Sequence, residues 1–176
     1  PGLHYLFVGD EEQTVVELLD ALEHGEQTVS IPGLCMRDGD RVLTTAKREP
    51  IKNLDDLPRT AWELYDLSMY QPLPLQYKKL PIAPYLSSRG CPYGKCTFCF
   101  ESGSFAPKWR RHSPERVIED MKILKEQFGI KEVAFWDDIF LIDLKWLQRF
   151  CELYQVEKLD MTWQCYGYGA VTTKPM

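Results

Sequence analysis

No stretch of this chain approaches the roughly 18 consecutive apolar residues that a membrane-spanning helix needs, and no secretory signal peptide opens it. Basic residues are outnumbered, 21 Lys and Arg against 26 Asp and Glu. The resulting net charge of −5 argues against nucleic acid as a partner, because phosphate binding needs a net basic face. A dinucleotide fingerprint is missing too, since a lone Gly9 is all that separates the first apolar run from the helix after it. The six cysteines do not make a disulfide framework: three crowd into nine residues and three stand alone. A reducing, cytoplasmic setting is the natural one for such a pattern. What is present is apolar material, 44% of 176 residues, enough for about one domain's core.

The crowded stretch is Cys91-Pro-Tyr-Gly-Lys-Cys96-Thr-Phe-Cys99. Thiolates are soft ligands, and three so close can converge on zinc or an iron-sulfur cluster. A closed zinc site or a passive cluster takes four ligands, whereas a cluster held by three Cys keeps one iron open. Two four-ligand alternatives stay open. The Cys-x4-Cys-x2-Cys spacing also begins a plant-type 2Fe-2S ferredoxin, which would need Cys151 or Cys165 as its fourth ligand. A structural zinc site would recruit His112. Cys35 and Cys151 read more simply as small packed residues.

Along the chain, His4-Tyr5-Leu6-Phe7-Val8 reads as a buried strand. Asp10 with Gln13 reads as a capping-box variant for a helix whose stripe is Val15, Leu18, Leu19 and Leu22. Leu34 to Leu43 reads as a hairpin turning at Asp38-Gly39 in type I′ geometry. Prolines at 50, 58, 72, 74, 81 and 84 punctuate an ordered strap with short helical turns, for which Trp62, Tyr65 and Tyr70 are the expected anchors. From Ile82 the pattern alternates strand, helix, strand, helix, strand, predicting a parallel sheet. Ser113-Pro114 and Asp143 open the helices, and Gly129 stops the first. Side-chain alternation puts Gln164 and Tyr166 on one face of the last strand, the expected ligand face, and Trp163 and Cys165 on the other. Lys108, Arg110, Arg111 and His112 gather around Trp109, readable as an anion site or a solvated turn.

Arg89-Gly90-Cys91-Pro92, Phe98 directly before Cys99, and Ser113-Pro114-Glu115 at a helix start resemble the radical S-adenosylmethionine enzymes. Val8-Gly9-Asp10-Glu11-Glu12-Gln13-Thr14 and Asp137-Asp138 are similar to the branch of that superfamily with a cobalamin-binding domain. Two departures stand beside the likeness: the family's first cysteine gap is one residue shorter, and Tyr168 occupies a place where the branch often has Arg. The resemblance implies an α/β fold over three segments. Residues 1–43 would be the end of a Rossmann-like cobalamin-binding domain, 44–81 a connector, and 82–176 the first half of a (βα)6 barrel. Cys91, Cys96 and Cys99 would hold a 4Fe-4S cluster whose open iron takes S-adenosylmethionine and cleaves it to a 5'-deoxyadenosyl radical. Phe98 would pack by the adenine, Asp137 or Asp138 would hold the amino group, and Gln164 would face the ligand. Cobalamin would bind mostly through residues upstream of Pro1, the chain reading as an interior piece. A flavodoxin or ferredoxin would supply electrons, and the reaction on a small molecule would be methyl transfer, cyclisation or rearrangement. A tRNA methylthiotransferase shares the Arg-Gly-Cys-Pro style and is the related alternative.

Overall fold

Local stops and one close backbone contact set the elements of the first half of the chain. The computed structural model describes residues 3–99, 109–167 and 169. It divides into two compact units, Pro1–Lys52 and Asn53–Met176, so the strap expected over 44–81 is shared between them.

In the first unit, β1 (Tyr5–Phe7), β2 (Leu34–Asp38) and β3 (Arg41–Thr44) form an antiparallel sheet in the order β1-β2-β3, with α1 (Glu12–His24) between β1 and β2. The strand-helix-strand opening therefore makes no parallel crossover. Gly33, at φ +83°, sends the chain back along β1: its carbonyl accepts from Val8 N at 2.9 Å. A Cβ at Gly33 would lie 3.2 Å from the Val8 carbonyl oxygen and 3.1 Å from Thr14 Oγ1. The helix buries Thr14, Leu18 and Ala21 and leaves Val16, Leu19 and Leu22 exposed, so its packed stripe is rotated from the expected one. Leu6 and Val8 are likewise exposed, correcting the expectation of a buried first strand. Asp10 does not cap the helix. The cap position is Glu11, and Asp10 Oδ2 accepts from Ile51 N at 2.8 Å. The hairpin forms with Asp38 paired to Arg41, which moves the two-residue loop to Gly39-Asp40. Of these two, Gly39 alone has positive φ, the pattern of a type II′ turn rather than I′.

The second unit is built on β4 (Ile82–Tyr85), β7 (Glu132–Phe135) and β8 (Thr162–Cys165), a wholly parallel sheet in the order β4-β7-β8. A two-residue pair, β5 (Ser88–Arg89) and β6 (Arg110–Arg111), runs antiparallel beyond it. Helix α2 (Pro114–Phe128) starts where the Ser113 hydroxyl accepts from Arg116 N and ends at Gly129 in the left-handed region. Helix α3 (Leu144–Val156) is capped by Asp143, which accepts from Lys145 N and Trp146 N. Both helices pack on one sheet face. Val117, Met121, Leu124, Val133, Phe135, Phe140 and Phe150 are at most 1% exposed there. Burying each such side chain contributes about 1.5–3 kcal/mol.

The strap of this unit makes short 3-10 turns at Leu54–Asp56, Trp62–Leu64 and Leu67–Met69. Leu54, 1% exposed, is its deepest anchor, and Trp62 and Leu67 pack on the core, whereas Tyr65 and Tyr70 are about half exposed. Polar ties complete the attachment. Asp55 accepts from His112 Nδ1 at 2.9 Å and from Ser113 N, and Arg59 pairs with Glu119 and Asp120.

Candidate functional site

The parallel strands carry two sets of side chains in register. Ala83, Tyr85, Val133, Phe135 and Trp163 belong to the core under the helices. On the alternate positions, Pro84, Ala134 and Gln164 lie side by side and line a cleft of about 560 Å3, closed on its other side by strap residues 70–76. Gln164 Nε2 donates to the Gln76 carbonyl at 2.6 Å, tying strap to strand. One layer toward the amino ends, the Glu132 carboxylate accepts from Lys78 N, Lys79 N and Thr162 Oγ1. At the carboxyl ends, Trp136 and Tyr166 meet edge to face, ring centroids 6.0 Å apart, and both are more than half exposed.

Beyond the strand ends the acid pair splits. Asp137 is 1% exposed, its carboxylate accepting from Ser87 N at 3.2 Å, from Ser87 Oγ at 2.8 Å and from Ser88 Oγ. Asp138 is exposed. The cause is register: Tyr85 is opposite Phe135, so two residues on, Ser87 comes level with Asp137. The serines were not among the expected site residues, although extending the strand pairing by two positions would have found them.

Of the basic cluster around Trp109, Lys108 lies outside the described residues, and Arg111 keeps its guanidinium carbon 5.5 Å from the Trp109 ring centroid. Arg111 turns inward, its guanidinium carbon 3.6 Å from the Trp146 ring centroid and its Nη2 donating to Ser87 Oγ at 3.3 Å. Burial pushes this guanidinium down to about 10, against the opposing pull of Asp137 and Asp143. Its Nε and Nη1 are buried without a hydrogen-bond partner among the described residues. His112 is held by Asp55 instead. Hydrogen bonds from Ser113 and His112 outweigh the effect of burial on Asp55 and hold its carboxyl below the ordinary range.

The cysteine loop leaves from this network. Ser88-Arg89 is β5, Gly90 follows at φ +78°, and Cys91, Cys96 and Cys99 are partly exposed and in no disulfide. Gly94 takes φ +53° within the longer first gap, a conformation that glycine adopts without steric cost. Cys99 N donates to the Cys96 carbonyl, a tight turn that leaves Phe98 91% exposed. Among the described residues, no three His, Cys, Asp or Glu side chains are already gathered closely enough to hold a metal ion. The loop's donor set nonetheless suits a cluster with an open iron in kind and number: three thiols on one short segment, none spent in a disulfide. Holding the cluster requires the loop to gather them. Cys151 sits on α3 against the core, and burial together with Asp137 pushes the Cys165 thiol up to about 11.

No family model matches the chain. It is 36% identical over 163 residues to an uncharacterized methyltransferase of Pyrococcus horikoshii, an alignment covering 93% of this chain and 34% of that protein. It is 27% identical over 162 residues to the anaerobic magnesium-protoporphyrin IX monomethyl ester cyclase of Synechocystis, covering 92% and 31%. Among solved structures, the cobalamin-dependent S-adenosylmethionine radical enzyme OxsB, with aqua-cobalamin and S-adenosylmethionine bound, superposes with a TM-score of 0.75 at 17% identity. That match takes in 97% of this chain and 24% of OxsB. The likeness to OxsB is one of fold. The chain spans about a third of the length of these curated relatives. The cysteine loop, Asp138 and the aromatic mouth of the cleft all lie at the carboxyl ends of parallel strands, where α/β sheets bind their ligands.

Proposed function

We propose that the chain is the cluster-bearing part of a radical S-adenosylmethionine enzyme. The observation that carries this reading is three cysteines on one loop, none in a disulfide, rooted at the carboxyl end of the first strand of a parallel sheet. Cys91, Cys96 and Cys99 are the ligands of a 4Fe-4S cluster. When bound, that cluster supplies the electron for reductive cleavage of the S-adenosylmethionine sulfonium. The chain's own residues orient the nucleotide. Phe98, 91% exposed, is available to lie against the adenine. Asp138 takes the amino group, because Asp137 is already committed to Ser87 and Ser88. Gln164 presents its side-chain oxygen on the cleft side of β8, toward the reaction partner rather than the nucleotide, its Nε2 being held by the Gln76 carbonyl.

The alternation of three parallel strands with two helices supports the first half of a (βα)6 barrel; residues 1–43, whose sheet is antiparallel, are read as the end of a Rossmann-like cobalamin-binding domain on the resemblance of residues 8–14 alone. The names of the relatives, a methyltransferase and a cyclase, support methyl transfer or cyclisation on a small molecule. A flavodoxin or ferredoxin in a reducing cytoplasm is the electron donor. The test is anaerobic iron-sulfur reconstitution of the chain, followed by electron paramagnetic resonance of the reduced protein with and without S-adenosylmethionine. A 4Fe-4S signal that changes on adding S-adenosylmethionine, and is lost in Cys96→Ala, is expected. A 2Fe-2S signal indifferent to S-adenosylmethionine, or zinc without iron, would overturn the reading.

A further inference from the structure

The cleft over β4, β7 and β8 has a property that none of the assigned roles uses: among the described residues, none that lines it is charged. Pro84, Ala134 and Gln164 make its sheet side, and the strap adds Tyr70, Leu73 and Leu75. The nearest acid on the strands, Glu132, is 2% exposed and turned to the Lys78 and Lys79 amides and Thr162. Cys165 adds no charge either, its thiol remaining protonated at neutral pH. Polar capacity is confined to neutral groups, the amides of Gln71, Gln76 and Gln164 and the ring polar atoms of Tyr70, Trp136 and Tyr166.

The rim is apolar yet open to water. Leu73 is 70% exposed and Leu75 fully so, while Trp136 and Tyr166 stand at the mouth as a tilted aromatic pair. Large apolar groups gathered around a concavity mark a binding surface rather than scattered surface residues. Its volume falls in the range of small-molecule sites, about 300–1,000 Å3. The carbonyl oxygen of Gln164 has no hydrogen-bond partner among the described residues, since its amide nitrogen alone is engaged, by Gln76. That leaves an acceptor for a ligand N–H or O–H beside an aromatic surface suited to a flat ring. A charged group here would lose its hydration with no opposite charge to replace it.

We propose that this cleft binds the substrate, and that the substrate portion it takes is uncharged, ring-containing and largely apolar, stacked on Trp136 and hydrogen-bonded to Gln164. Calling the ligand a substrate rests on the proposed function; the cleft's preference for uncharged rings does not.

The experiment is equilibrium fluorescence binding of two dyes to the full chain, without S-adenosylmethionine or reductant. N-phenyl-1-naphthylamine is uncharged, and 1-anilinonaphthalene-8-sulfonate is the same ring system carrying one sulfonate. The uncharged dye is expected to bind at one site at least tenfold more tightly than the sulfonated one, with energy transfer from tryptophan. Ala134→Phe, which fills the cleft from the sheet, should weaken it at least tenfold, and Trp136→Ala should weaken it and reduce the transfer. Equal affinity for both dyes would overturn the proposal. So would binding of the uncharged dye that neither variant weakens, as expected of unspecific apolar surface. Selective dye binding by a chain that assembles no S-adenosylmethionine-responsive cluster would refute the proposed function alone. A responsive cluster without dye selectivity would refute this inference alone.

Discussion

Replacing Asp137 by Asn tests whether the root of the cysteine loop is held from the neighbouring strand. In the native chain the carboxylate accepts from both serine hydroxyls and from Ser87 N, and its charge faces the buried Arg111 guanidinium. An asparagine can keep one oxygen for the hydroxyls but must turn an NH2 toward a donor. Hydrogen bonds to a charged group are worth about 1.5–3 kcal/mol, and a buried unsatisfied donor costs about 1–3 kcal/mol. Because these losses share one site they do not simply add, and about 3 kcal/mol of destabilisation is expected. With a urea m-value of about 1–3 kcal/mol/M, the midpoint should fall by about 1 M or more. Anaerobic urea unfolding followed by tryptophan fluorescence measures this, and hydrogen exchange should quicken at Ser87 to Gly90. Ser88→Ala combined with Asp137→Asn should show a coupling of about 1 kcal/mol, as expected for groups in one network. A loss below about 0.5 kcal/mol, or independent effects of the two substitutions, would refute the argument that Asp137 fixes the loop.

Asp55→Asn should cost about 1 kcal/mol at neutral pH, from the His112 pair and the contact with Ser113 N. Since the folded-state pKa of Asp55 is lowered, its contribution is complete above the ordinary carboxylate value of about 4 and is lost as pH falls through the folded value. Unfolding curves of the two proteins should therefore converge toward pH 3, and a gap that persists there would disprove the linkage. Leu54→Ala, at a residue 1% exposed, should lose about 2–5 kcal/mol, which thermal unfolding would register; a change within about 0.5 kcal/mol would mean the strap is not anchored there. Gly33→Ala should cost about 2 kcal/mol, since positive φ and a close carbonyl both oppose the methyl group, and denaturant unfolding would show no loss if the backbone simply yielded.

Much of the second unit is legible in the sequence because its signals are local. Ser113-Pro114, Gly129 and Asp143 mark helix ends through bonds to residues two to four positions away, and the structure uses them as expected. The hairpin is displaced by one residue because Asp38-Gly39 and Gly39-Asp40 are both good turns, and cross-strand pairing decides between them. In α1 the apolar residues are too many to name the buried face: Leu18 goes inward while Leu19 and Leu22 do not. The site was harder still. Asp-Asp at a strand end does not say which acid turns in, and His112 finds Asp55 across 57 positions of sequence. Cys-x4-Cys-x2-Cys names three candidate ligands without saying how the loop would gather them.

Strand β7 shows why these tertiary details are inseparable from the site. Val133 and Phe135 face the helices, and Phe135 stacks on Phe140 with centroids 4.4 Å apart. Between them Ala134 forms the floor of the cleft, Trp136 stands at its mouth, and Asp137 holds the serines at the root of the cysteine loop. Residues 133 to 136 thus alternate between core and cleft with a period of two, and Asp137, buried with the parity of the core positions, meets Ser87. A slip of one residue would expose Phe135, fill the cleft with its ring and carry Asp137 away from Ser87. The same aromatic packing that stabilises the core therefore sets the geometry of the site. Substitutions at Phe140 or Phe150, whose rings pack on the core side of the sheet, should loosen both cleft and loop through β7.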